Sequence, residues 1–310
     1  MGTIKSFDNL VVLAPLAGFT DLPFRSVAKK FGVDLTYSEM INSNALVHHS
    51  KKTFHMIEKA PNETPYIVQI AGNEPEIVKK AVLILNEIDG IDGIDLNCGC
   101  PVKKIIKTGS GSALLDDLDQ FKRVIETIKE YSNKEYTSVK VRLGFKEKNH
   151  VNIAKAVESA GADFMAIHGR TAAQMYKGNA DWDAIKEAKA AISIPLFANG
   201  DITDYDTAKH VKEHTKADGI MIGRGAIGNP WIFYQIKNSL GVTPKDKIKE
   251  IVLEHFHSII EFYGEDTGIR TFRKHLHTYS KGQTDSSEFR DKVNTIISAN
   301  EMEQTIINFF

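Results

Sequence analysis

Cysteine is nearly absent: Cys98 and Cys100 are the only two among 310 residues. Two thiols one residue apart rule out a disulfide framework and are too few for a structural zinc site, so their role is chemical or a matter of packing. Also missing is any apolar stretch approaching the roughly 20 residues that cross a bilayer, and the polar start MGTIKSFDNL lacks the apolar segment of a secretory signal. The cytoplasm is therefore the expected location. Met1, Gly2 and Ser6 fit the loose N-myristoylation pattern, but that pattern is short and one acyl chain anchors only marginally, so no membrane attachment is expected. Net charge is almost nil, −1 with a pI near 6.8, which excludes a polycation that grips nucleic acid indiscriminately. An RNA partner would need local basic patches.

What is present is an ordinary globular composition, 42% hydrophobic and 25% charged, which sets aside disordered and fibrous readings. Short apolar, β-branched runs recur as VVLA from Val11, DLTYSE from Asp34, YIVQI from Tyr66, GIDLN from Gly93, SVKVR from Ser138, DFMAIHG from Asp163, IPLFANG from Ile194 and DGIMIGR from Asp218. Between them lie segments long enough for a crossover helix, among them those from Pro75, Asp119 and His150. Alternation of this kind requires parallel strands, and eight with apolar cores fit a closed (β/α)8 TIM barrel better than a doubly wound sheet. After about residue 240 the pattern becomes helical. Thr243 and Pro244 read as an N-cap and first helical position ahead of Ile248, Ile251, Val252, His255, Phe256, Ile259, Ile260 and Tyr263. A second helix is expected from about Ile269, and a third after a DSSE capping signal at Asp285. The expected organisation is a barrel over 1–240 and a small all-helical domain over 241–310.

In a TIM barrel the chemistry sits at the C-terminal strand ends. Those ends offer Pro15 to Ala17, Glu39, Gln69, Asn97 with Cys98 to Pro101, Lys140 with Arg142, His168 with Arg170, Asn199 to Asp201, and Gly223 with Arg224. GRGAIG, from Gly223 to Gly228, matches GxGxxG but closes the eighth strand, not the first strand of a dinucleotide-binding unit. In a barrel the loops after strands seven and eight commonly hold a phosphate on backbone N–H groups, a role that suits Asn199, Gly200, Gly223 and Arg224; the plainer alternative is that the glycines only make tight turns. Lys140 and His168 are strand-end groups whose positive charge is costly to bury unless it meets an anion or an electron-rich ring, such as the N1–C2 edge of a reduced flavin. The alternatives are an ion pair of Lys140 with Glu39 or Asp201 and a packing role for His168. Cys100 lies in the turn NCGCP, which projects it over the mouth, while Cys98 reads as the buried one. A free thiol, ordinarily titrating near 8.5, is mostly protonated at neutral pH and can donate a proton. His210, Glu213 and His214 form HxxEH, known from a class of zinc peptidases, but they fall on the helix between strands seven and eight, outside the barrel, and no metal site is expected.

Taken together, APLAGFTDLPFR from Ala14, SEM from Ser38, VQIAG from Val68, IDLNCGCPVKKIIKTGSGSALL from Ile94, VKVRLG from Val139, IHGRTAAQMYKGNADW from Ile167, ANGDI from Ala198 and GIMIGRGAIGNPWIF from Gly219 closely resemble the tRNA-dihydrouridine synthases, especially their bacterial B-type branch. The matches run in order over about residues 11–235. The tail is a looser match, reading FRKHLHTYSKG where many relatives have an element closer to RKHxxWY. The resemblance implies an FMN-bound reductase that uses NADPH to reduce the 5,6 double bond of particular uridines in tRNA. Carried over by position, it implies that Pro15, Leu16, Ala17, Gln69, Lys140, Asn199, Gly200, Asp201, Gly223 and Arg224 hold FMN, with His168 beside it. It further implies hydride delivery from FMN N5 to uracil C6, with Cys100 as the acid that protonates C5. Asn97 and Arg142 would orient the base. A stacked uracil cannot reach a barrel mouth, so the nucleotide must flip out, at a cost offset by phosphate contacts. Candidates for these are Lys103, Lys104 and Lys107 beside the catalytic loop, and Arg270, Arg273, Lys274 and Lys281 on the tail. A monomer is expected. Two other readings are an FMN barrel acting on a free small molecule, of the dihydroorotate dehydrogenase or ene-reductase type, and a tRNA-binding protein or chaperone in which reduction is secondary.

Overall fold

A computed structural model describes residues 2–240 and 247–310. Nine short strands run parallel in one sheet: β1 (Val11–Leu13), β2 (Thr36–Tyr37), β3 (Ile41–Asn42), β4 (Tyr66–Ala71), β5 (Gly93–Cys98), β6 (Tyr136–Arg142), β7 (Phe164–His168), β8 (Leu196–Asn199) and β9 (Gly219–Ile222). β2 and β3 both pair with β4 and are two pieces of one barrel strand. The order is β1-β9-β8-β7-β6-β5-β4-β2. A bridge between Val12 and Leu35 joins the two ends, so the eight expected strands close a barrel. The helices Pro75–Asn86, Leu118–Tyr131 and His150–Ser159 fall on the crossover segments expected to hold them.

The period-two alternation of a strand sorts each run into an outer and an inner row. Outward residues such as Val68, Leu96, Val139, Ile167 and Ala198 are buried under the helical ring. The inner rows are apolar at the bottom, where Phe164 packs against Phe197 (ring centroids 5.3 Å) and Tyr136 (6.0 Å), with Phe7 lying 5.0 Å from Phe164 to plug that end. Further along the same rows the inward residues become polar: Gln69 on β4, Asp95 and Asn97 on β5, Ser138, Lys140 and Arg142 on β6, His168 on β7 and Asn199 on β8. Register puts Asn97 opposite Lys140, Arg142 opposite His168, and His168 opposite Asn199, so the polar residues form contiguous layers at one mouth.

The tail consists of the helices Ile248–Tyr263, Glu265–Tyr279, Ser286–Thr295 and Ala299–Phe309. The expected cap at Thr243 and Pro244 lies outside the described residues. The second helix starts four residues ahead of the expected Ile269, directly after Gly264. The third begins where DSSE placed it, but Asp285 sits in the left-handed region (φ 56°) and its side chain caps nothing. The fourth was not foreseen. Ile251, Phe256, Ile259, Phe272, Leu276 and their neighbours form a core of their own, to which the barrel lends Val27 and Trp231. At about 1.5–3 kcal/mol for each buried large side chain, that shared core makes the tail a fixed part of the molecule.

Candidate active site

The loops after β1, β5, β7, β8 and β9 and the polar inner layers build the mouth. A chain of side-chain hydrogen bonds crosses β4, β5 and β6 below it. Ser138 Oγ donates to Asp95 Oδ1 (2.6 Å), Gln69 Nε2 donates to Asp95 Oδ2 (2.7 Å), and Asn97 Nδ2 donates to Gln69 Oε1 (2.8 Å). Burial raises the Asp95 carboxyl to about 6 against the pull of its Ser138 and Gln69 donors. Asn97 turns its other end outward: Oδ1 accepts the N–H groups of Gly99 (3.2 Å) and Cys100 (2.9 Å). The Cys100 carbonyl in turn accepts from Ser112 N–H (3.1 Å) and Oγ (2.9 Å). Cys100 is thus partly exposed on a turn fixed at both of its backbone groups, whereas Cys98 faces the helical layer and burial pushes its thiol well up. A held thiol at the rim and a sealed one beneath it is the division expected from NCGCP.

Lys140 Nζ donates to Asn199 Oδ1 (3.2 Å), and Asn199 Nδ2 donates to the Met221 carbonyl (2.7 Å). Burial, with Arg142 nearby, lowers the lysine to about 8, even though Asp95 and Cys100 favour its charge. Neither ion pair considered for it, with Glu39 or Asp201, forms: the Glu39 carboxylate accepts from Gly18 N–H, and Asp201 belongs to Arg170. His168 departs from its expected role as a second cation. Burial and the charges of Lys140, Arg142, Arg170 and Arg224 drive it down to about 2, so it is a neutral imidazole. Its buried Nδ1 has no hydrogen-bond partner among the described residues.

Arg142, expected to orient a base, is chiefly a clamp. Nε donates to the Gly99 carbonyl (2.8 Å) and Nη1 to those of Thr171 (2.9 Å) and Met175 (2.8 Å), while no acceptor among the described residues engages Nη2. It ties the cysteine turn to the loop after β7. On that loop the half-exposed Tyr176 ring lies 5.6 Å from the Arg142 guanidinium and 4.4 Å from that of Arg224. Asp201 is a hub. It takes a two-pronged interaction from Arg170 (3.0 and 2.7 Å), the Ala180 N–H (2.7 Å) and Arg224 Nη2 (3.3 Å), which together hold its carboxyl below the usual range against the effect of burial. Beside it Gly200 has φ 126°, and a Cβ there would come 2.8 Å from that of Ala180, so only glycine fits this turn. Gly223 differs: a Cβ there would make only ordinary contacts, with Ala14 at 3.6 Å and Leu16 at 3.8 Å, so no clash demands glycine and the backbone is partly exposed beside the loop after β1.

Pro15 and Leu16 lie partly exposed and Ala17 exposed on the loop after β1, and Lys103 is exposed on the short helix Lys103–Ile106 next to the cysteine turn. Lys274 reaches the mouth from the tail, its Nζ 5.3 Å from the Phe19 ring. Arg273 is not brought to this group: its Nη2 donates to the Ile296 carbonyl inside the tail (2.7 Å). His210 and His214 sit on the outer helix Tyr205–Thr215, where His214 Nε2 bonds Asp183 Oδ1 (2.7 Å). Sequence reading passed over Asp95, although the alternation of IDLN puts it on the same face as Asn97. It also passed over Tyr176, for which a loop offers no periodic signal.

A family profile described as Dihydrouridine synthase (Dus) matches residues 12–310. The chain is 47% identical over 299 residues to the probable tRNA-dihydrouridine synthase of Helicobacter pylori, covering 96% of this chain and 91% of that protein. It is 39% identical over 310 residues to tRNA-dihydrouridine synthase B of Vibrio vulnificus, covering 97% and 96%. Among solved structures, the old yellow enzyme homologue from Zymomonas mobilis superposes with a TM-score of 0.52 at 14% identity, over 78% of this chain and 92% of that one. Histamine dehydrogenase from Rhizobium gives 0.57 at 11% identity, over 82% and 49%. At such identities the last two speak for the barrel fold alone.

Proposed function

The chain belongs to the dihydrouridine synthase family, and from that premise we propose that it converts particular uridines of tRNA to 5,6-dihydrouridine with FMN as cofactor and NADPH as reductant. The observation that carries this reading is the convergence, around one mouth, of a held thiol (Cys100), a lysine with a single hydrogen-bond partner among the described residues (Lys140), a neutral imidazole with a nitrogen unpartnered among them (His168) and a partly exposed glycine turn (Gly223).

These residues fit a flavin mononucleotide. The Lys140 ammonium has two protons left for an electron-rich ring edge, and Gly200, Gly223 and the Arg224 guanidinium, more than half exposed, suit a phosphate. Pro15, Leu16 and Ala17 would border the ring. Gln69 and Asn199 would act from beneath through the groups they fix, and Asp201 by aiming Arg170 and Arg224. When bound, the flavin supplies the hydride for uracil C6. The protein supplies the rest. Asn97 holds the backbone of the cysteine turn, so the Cys100 thiol is set to give its proton to C5. No imidazolium competes with it, since His168 stays neutral. Arg142, through its unengaged Nη2, is available to a uracil carbonyl. Lys103 and Lys274, flanking the mouth on two sides, are available to tRNA phosphates; of Arg273, whose Nη2 is engaged and whose Nε is buried, only Nη1 is left for such a contact. A monomer suffices for this site. Among the described residues no helix is long and apolar enough to cross a membrane, and tRNA and NADPH place the reaction in the cytoplasm.

The test begins with FMN content of the purified protein and NADPH-supported dihydrouridine formation on unmodified tRNA, with free uridine as control. Cys100→Ala should retain flavin and lose about 10²–10⁴-fold in rate, whereas Cys98→Ala should keep the rate. Activity confined to free small molecules would replace the tRNA reading with the other FMN-barrel reductases. Full activity in Cys100→Ala would remove the thiol from the reaction.

A further inference from the structure

The loop Pro15–Asp21 is held from two directions. Within the loop the Leu16 N–H donates to Thr20 Oγ1 (2.8 Å) and its carbonyl accepts the N–H groups of Phe19 (2.9 Å) and Thr20 (3.0 Å); the barrel holds the loop through Glu39, whose carboxylate accepts the Gly18 N–H. The tail holds it too. Tyr263, on the helix Ile248–Tyr263, donates its hydroxyl to Asp21 Oδ2 (3.1 Å). From the helix Glu265–Tyr279, Lys274 lies over the Phe19 ring and His275 meets the same ring edge-on, with centroids 5.5 Å apart.

Asp21 is an unusual anchor. It is 3% exposed, it caps the helix Leu22–Lys30 by accepting the Phe24 N–H at Oδ1 (3.1 Å), and among the described residues Tyr263 is the only side chain that bonds its other oxygen. Burial, with Glu39 adding to it, raises its carboxyl to about 6. A buried carboxyl deprived of a donor seeks another, and a loop is the easiest part of a fold to move in that search.

We propose that the tail completes the framework of the cofactor site: the Tyr263–Asp21 hydrogen bond and the Lys274–Phe19 contact are positioning contacts that hold Pro15–Asp21 in the conformation that receives the flavin. This rests on the assignment of Pro15, Leu16 and Ala17 to FMN. Coupling of this kind is reciprocal, so flavin must in turn steady the two tail helices that make the contacts. The tail is then not merely a platform for RNA; its seating is felt at the flavin.

The experiment is a titration of full-length apoprotein with FMN, read by quenching of flavin fluorescence, for wild type, Tyr263→Phe, Lys274→Met and Val27→Ala. Val27 packs the helix Leu22–Lys30 into the tail core and takes no part in the Tyr263–Asp21 or Lys274–Phe19 contact, so its truncation weakens the seam while leaving both contacts in place. Tyr263→Phe is expected to weaken FMN binding about five- to tenfold and Lys274→Met about twofold, the scale of one lost hydrogen bond and one exposed cation–π contact. Val27→Ala should lower the Tm and leave FMN affinity unchanged. A second readout is hydrogen exchange: FMN should slow exchange along Ile248–Tyr263 and Glu265–Tyr279 in wild type and do so less in Tyr263→Phe. Wild-type affinity in Tyr263→Phe overturns the proposal, as does an equal loss in Val27→Ala. Failure of the wild type itself to take up FMN would instead overturn the flavin assignment beneath it.

Discussion

At the scale of single residues, neighbours decide the charge each polar group at the mouth can carry. His168 and Lys140 both lie on inner rows and burial lowers both, yet only the lysine keeps its proton near neutrality: it starts from a higher ordinary value and Asp95 and Cys100 favour its charge, whereas four cations push the imidazole down further. A pH dependence follows. Lys140 in the free site titrates at about 8, and an electron-rich ring edge placed against it raises that value. Above pH 8 FMN binding must therefore take up a proton, and affinity falls as pH rises, by at most about tenfold per unit. FMN dissociation constants measured between about pH 7 and 9.5 should show this decline in wild type and a weaker, flat response in Lys140→Met. A flat wild-type profile would remove the lysine's charge from binding. Sequence alone could name both residues, since strand ends are legible from hydrophobic periodicity. It could not rank their charges, because that depends on burial and on Lys140, Arg142 and Arg224, which face His168 from other elements.

At the scale of elements, legibility tracks periodicity. The eight barrel strands were readable because each carries an apolar outer row, and the polar inner residues followed once the alternation was known. Arg142 and Arg273 were readable as cations, but their backbone acceptors at Gly99, Thr171, Met175 and Ile296 were not. The helix Ala299–Phe309 escaped notice although Ser298 and Glu301 stand at capping-box spacing, and in the structure Ser298 makes no side-chain cap bond. GRGAIG shows the same limit. The motif pointed to a phosphate turn, but its last glycine serves the seam with the tail: Gly228 has φ 74°, and a Cβ there would fall 2.6 Å from the Thr278 carbonyl carbon. Gly228→Ala combines a left-handed backbone with a backbone clash and should cost about 2–3 kcal/mol. Urea unfolding should show the midpoint falling accordingly. A loss under about 0.5 kcal/mol would mean that the seam yields freely there.

At the scale of the whole molecule, the question is how a chain of net charge −1 holds a polyanion. The answer lies in where the charges are. Lys103, Lys104 and Lys107 are exposed on the segment that follows the cysteine turn, and Arg224 is exposed on the loop after β9. Acidic groups near the mouth are spent internally, Asp201 on Arg170, Asp95 on Ser138 and Gln69, and Glu39 on a backbone N–H. The mouth thus presents cations outward while the acidic balance resides elsewhere. Each lysine that meets a phosphate releases a counterion, so the KM for tRNA should rise steeply with salt while NADPH oxidation without tRNA should not. Replacing Lys103, Lys104 and Lys107 together by Gln should lower the slope of log KM against log salt by about one for each lysine that makes a contact, and leave kcat at saturating tRNA unchanged. An unaltered slope would make these three lysines solvated surface and shift the burden to the tail, where Lys274→Gln would then have to flatten the salt dependence.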